Sequence, residues 1–82
     1  RPEGLGIWVV EGGAGVRDVN RALDRELPED PAYATVAGLV LHRLGRIPKP
    51  GESLVDEESG LKVEVVESTA RHVSRVRLTR VG

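Results

Sequence analysis

The nine residues from Leu44 to Glu52, LGRIPKPGE, hold two prolines and two glycines. They follow a run with helical spacing and precede one with strand spacing. Proline locks its own φ and disfavours helix at the residue before it, so the chain is held extended through Ile47-Pro48 and Lys49-Pro50. Gly45 stands where a left-handed helix cap would stand, Ile47 is placed to drop an apolar anchor onto the core, and the strand is expected to begin at Gly51. Any fold open to this chain must therefore carry a helix into a strand around a stiff corner.

The core behind that corner must be aliphatic. The chain has 82 residues, 39% of them hydrophobic, with one Trp, one Tyr and no Phe, Met or Cys. A chain this short reaches stability through a single modest core, so residues 1–82 read as one domain. Without cysteine it holds neither disulfides nor thiolate metal sites. A net charge of −1 with 30% charged residues describes an ordinary surface, not one built for polyanions. No apolar run approaches the roughly 18 residues a membrane span requires, and no signal-peptide pattern opens the chain. Neither a nucleic-acid partner nor direct membrane insertion by this segment is expected. The start at Arg1 fits a segment of a longer protein.

Leu5, Ile7 and Val9 alternate with Gly6, Trp8 and Val10, which predicts a first strand. After the glycine-rich break, Val16, Val19, Leu23 and Leu27 form a helical stripe that predicts a helix ending before Pro28. Asp30-Pro31 offers a cap and a first-turn proline, and Tyr33, Val36, Val40 and Leu44 continue at helical spacing, with Ala37 and Leu41 widening the buried face. Arg43 falls in the last turn, facing the negative end of the helix dipole. Ser53 to Val55 then reads as a strand, residues 56–60 as a hairpin loop, and Leu61, Val63 and Val65 as the apolar face of the return. A turn over residues 68–71 leads to a last strand with Val76 and Leu78 inward and Arg75, Arg77 and Thr79 outward. Val73 is out of phase with that pair, which predicts a strand boundary or bulge. The fold class is α+β: two short helices on one face of a small, mainly antiparallel sheet.

Few residues carry the chemistry of a site. His42 and His72 lack a His or Cys at ligand spacing and read as surface or half-buried side chains. Asp56, Glu57 and Glu58 offer hard oxygen ligands of the kind magnesium or calcium takes, but without the alternating carboxylates and glycine pivot of an EF-hand; a solvated hairpin turn is the plainer reading. Gly12, Gly13 and Gly15 lie between a strand and a helix, where backbone N–H groups can meet a phosphate. The Lys-Ser/Thr of a P-loop is missing and GGAG is not GxGxxG, so a tight turn is the plainer reading here too. Arg71, Arg75, Arg77 and Arg80 crowd the last strand, where ion pairs to Glu64 and its neighbours are expected. No serine, histidine and acid arrangement marks a nucleophile, and nothing argues for an enzyme.

Val36-Ala37-Gly38-Leu39-Val40 followed by LGRIPKPGE resembles the T-L-A-G-[FL]-[IV]…L-G-R-I-P-x-P-G-[ED] signature of the CorC/HlyC transporter-associated domain. Residues 16–23 are similar to that family's first helix with its D-L-N core, and residues 75–80 to its final strand. Val19 and Val36 stand where leucine is commoner. The resemblance implies the C-terminal domain of a bacterial membrane protein with a transmembrane region and a paired CBS module, of the magnesium and cobalt efflux or hemolysin-like kind. It implies a noncatalytic regulatory or assembly role on the cytoplasmic face of the inner membrane. The partners it implies are the CBS pair and transmembrane regions of the same chain, and a homodimer is a further expectation. It also implies a fold related to a subdomain of FAD-binding oxidoreductases, so FAD is the cofactor that fold analogy suggests. The alternative function is accordingly an FAD or adenine-nucleotide binding module that uses the Gly12 to Gly15 turn.

Overall fold

A computed structural model describes residues 6–81. Six elements follow one another: β1 (Ile7–Glu11), α1 (Val16–Leu23), α2 (Val36–Leu44), β2 (Ser53–Asp56), β3 (Leu61–Ser68) and β4 (Val73–Arg80). The strands form one sheet in the order β1-β4-β3-β2, every neighbouring pair antiparallel. The meander β2-β3-β4 is as expected, and β1 closes onto its far side, covering β4. Leu5, placed by its pattern in the first strand, lies outside the described residues.

Alternation decides which face meets the helices. Trp8 and Val10 stand opposite Leu78 and Val76, which in turn stand opposite Val63 and Val65, so all six share one face. Leu61, Val63, Val65, Val73, Val76 and Leu78 are buried there with Val16, Val19, Leu27, Val36, Leu39 and Val40. The core is aliphatic, as the composition requires. Val73 and Val76 reach the same core three residues apart because the β3–β4 register shifts between them. The out-of-phase valine is thus both the first residue of its strand and the neighbour of a bulge.

Both helices are shorter than their stripes predict. α1 stops at Leu23 because Asp24 turns left-handed (φ 53°, ψ 51°), so Leu27 reaches the core from a loop. α2 does not start at Pro31. The Asp30 carboxylate accepts from Ala32 N–H at 2.8 Å and its carbonyl from Tyr33 N–H at 3.2 Å, which makes a turn out of the predicted cap. The helix is capped instead by Thr35, whose Oγ1 accepts from Gly38 N–H at 3.1 Å. Its other end is as predicted: Gly45 is left-handed at φ 75°, and its N–H donates to Leu41 C=O. At the corner itself Pro48, not Ile47, is the buried anchor; Ile47 stays half-exposed.

Candidate functional site

The glycine turn after β1 is bound into the fold by its own backbone. Gly12 N–H donates to Ser74 C=O at 2.8 Å, and its carbonyl accepts from Ala37 N–H at 2.9 Å. Ala14 N–H donates to Glu11 C=O and Val16 N–H to Ala34 C=O, at 3.0 and 2.9 Å. Three donors that a phosphate would need are therefore committed to carbonyls. Asp18, in the first turn of α1, already supplies the negative charge that a helix N-terminus favours. Gly12 is glycine for space: a Cβ there would lie 2.0 Å from the Val73 carbonyl oxygen. Gly13 is exposed, with nothing within 4 Å of a would-be Cβ. Beside Gly15 an open groove of about 650 Å³ runs between α1 and the loop before α2, lined by Arg17, Asp18, Glu29, Asp30, Pro31 and Tyr33 among others.

The three carboxylates at the β2–β3 turn do not converge. Asp56 is 2% exposed and points inward, accepting from Arg43 at 2.5 Å and from Ser59 N–H at 2.9 Å. Burial pushes its pKa up, but the Ser59 and Arg43 contacts outweigh it and hold the carboxyl below its ordinary range. Asp56 thus ties the C-terminal turn of α2 to the end of β2. Glu57 and Glu58 are exposed, and no group of three or more acidic, His or Cys side chains fit to hold a metal occurs among the described residues. His42 tilts against the Tyr33 ring at 5.5 Å, and His72 is exposed beside Thr69.

The arginines of β4 answer carboxylates across the sheet. Arg75 meets Glu11 at 3.0 Å and Arg77 meets Glu64 at 3.4 Å, the second as the sequence predicts. The stiff corner carries an ion pair that its sequence did not announce. Arg46 forks onto both carboxylate oxygens of Glu52, at 2.9 and 2.5 Å, and Lys49 N–H donates to the same carboxylate at 2.6 Å. The Arg46 hydrogen bonds and the Lys49 N–H pull the Glu52 pKa down to about 2. Ser68 Oγ donates to Pro48 C=O at 2.8 Å, and Gly51 N–H to Val65 C=O at 2.8 Å, which fastens the corner to β3.

Two more signature positions have structural uses. Asn20 accepts from Leu27 N–H at 2.8 Å and donates to Leu27 C=O at 2.9 Å, so one amide side chain pins the loop that Asp24 opened. Gly38 passes so close to Tyr33 that a Cβ would lie 2.7 Å from the tyrosine Cβ. Neither contact has a signal in spacing alone, because each joins a helix to a loop of irregular path. The family model of the transporter associated domain, CorC_HlyC, matches residues 1–82.

The chain belongs to that family.

A polyamine export protein of Salmonella typhimurium is 36% identical over 75 residues, covering 90% of this chain and 16% of its own length. The inner membrane protein YoaE of Escherichia coli is 36% identical over 74 residues, covering 89% of this chain and 14% of that protein. The chain therefore spans about a sixth of the curated relatives it matches. The crystal structure of a Mg2+ and Co2+ transporter (CorC) associated region from Neisseria meningitidis superposes with a TM-score of 0.88 at 23% identity, over 99% of this chain and 96% of that one. At that identity it bears on the fold alone, and the α+β architecture is the same. No helix among the described residues of this transporter associated domain is long and apolar enough to cross a membrane.

Proposed function

We propose that this transporter associated domain is a noncatalytic regulatory or assembly module of a membrane cation transporter. It acts on the cytoplasmic side through contacts with the transmembrane and CBS regions of a longer parent chain, at whose C-terminal end it stands. The observation that carries this reading is the use to which the reactive-looking groups are put. Asp56 faces Arg43 and Ser59, and the N–H groups of Gly12, Ala14 and Val16 face backbone carbonyls. The family's place in exporters and inner membrane proteins many times its length supports a role exerted on the rest of such a chain. Magnesium and cobalt are the cargo we favour, with polyamines the other cation class that the relatives suggest.

Removing residues 1–82 from the full-length parent and following efflux of Mg2+, Co2+ and a polyamine from loaded cells tests the reading. Altered efflux or lost regulation of one of these cargoes is expected; transport and regulation unchanged for all of them overturn it. An FAD or adenine-nucleotide role has less support, since the turn it would use has spent three of its donors. Isothermal calorimetry with FAD and ATP at millimolar concentration should give no binding heat.

A further inference from the structure

β2 is an edge strand with four residues and a single neighbour in the sheet. Glu52 C=O accepts from Val65 N–H, and along an antiparallel ladder every second residue does the same, so Leu54 and Asp56 also turn their backbone groups to β3. Ser53 and Val55 therefore point theirs outward, away from the sheet. Val55 is the most exposed large hydrophobic residue described, at 53%. An edge of this kind is a template for another strand.

The ends of the strand differ in charge. Arg46 and Lys49 stand before it, while the exposed Glu57 and Glu58 follow it. Asp56 is neutralised by Arg43 and Glu52 by Arg46, so the balance is positive at the start and negative at the finish. A two-fold axis perpendicular to the sheet reverses the strand and sets each basic end beside an acidic one. Such a surface is complementary to itself, as an isologous contact must be.

We propose that β2 pairs antiparallel with β2 of a second copy of this chain, joining two four-stranded sheets into one of eight strands. The outward geometry selects the register: Ser53 of each copy exchanges N–H and C=O bonds with Val55 of the other, and Leu54 meets Leu54 on the axis. Leu54, half-buried at the rim of the core, gains cover on the helix side. Val55 gains cover on the opposite face. Lys49 of one copy lies near Glu57 and Glu58 of the other. A contact of four residues a side lies at the small end of specific interfaces, so the free chain should associate weakly and reversibly. Tethering in a longer protein raises its occupancy through effective concentration. The inference stands on the strand itself and holds or fails independently of the transport reading.

Sedimentation of the 82-residue chain between about 10 μM and 2 mM tests it, with circular dichroism to verify folding. A reversible dimer that weakens with added salt is expected. Val55→Pro removes an N–H that faces away from β3, so the variant should keep its fold and sediment as a monomer. Glu57→Lys with Glu58→Lys should weaken association about tenfold, and Lys49→Glu added to that pair should restore part of it. A chain that stays monomeric throughout, or a dimer indifferent to both the proline and the charge reversal, overturns the proposal.

Discussion

Gly12 and Gly13 are neighbours with opposite tolerance for a side chain. A Cβ on Gly12 would meet the Val73 carbonyl at 2.0 Å, a backbone atom that cannot swing aside, whereas one on Gly13 meets nothing. Gly12→Ala should therefore cost about 2–3 kcal/mol in urea unfolding through overpacking. Gly13→Ala, at a position whose backbone is not left-handed, should leave stability within about 0.5 kcal/mol or raise it slightly. Equal losses at the two positions would mean that the turn needs glycine for flexibility and not for space. From the sequence both are members of one glycine-rich break, because nothing within it says that β4 will pass against the first of them. Asn20 was legible as part of a helix motif, but not as the clamp on Leu27. Asp56 was legible as a carboxylate on a turn, but its inward direction depends on Arg43, 13 residues away.

At the scale of elements, the stiff corner is the best-read feature and also the one with a hidden part. Its prolines and glycines predicted the helix cap and the extended exit. The Arg46–Glu52 bracket, which locks the loop between them, follows from a fork of donors meeting a carboxylate six residues on. That bracket predicts a pH dependence. Glu52 has its carboxyl pKa lowered from an unfolded value near 4.5 to about 2, so the native state favours the ionised form. Its stabilising contribution is whole above the unfolded value and is lost as pH falls through the folded one. Urea unfolding of the wild type and Glu52→Gln should show a stability gap that is constant from pH 7 to about 5 and closes between pH 4.5 and 2. A gap independent of pH would mean that Glu52 contributes through packing alone. Helix starts and stops were less legible than the corner. Asp30-Pro31 and Thr35 are both respectable caps, and the choice fell to Thr35 because the Asp30 backbone and side chain close a turn of their own.

For the whole molecule, β3 and β4 are each flanked by strands on both sides, while β1 and β2 are edges. Backbone amides of β3 and β4 should accordingly exchange last with solvent, near the rate set by global unfolding, and those of β2 earlier through local opening. Hydrogen exchange followed by mass spectrometry at low micromolar concentration, where the β2 edge is unpaired, checks this; protection as strong in β2 as in the centre would mean that the edge opens only with global unfolding. Preferences that act over a few residues were legible in the sequence: an aliphatic core, period-two strands, a left-handed cap at Gly45, a meander closed by short turns, and a corner too stiff to be a linker. The path of the closed chain was not legible there: β1 lies on β4, with Glu11 reaching Arg75 across 64 residues of chain, Gly12 needs its bare Cα, Leu27 enters the core from a loop, and Asp56 turns inward to Arg43. The physical reason is range. Dihedral preferences and capping bonds are settled among near neighbours, whereas burial and charge pairing depend on which distant segments the closed sheet brings together.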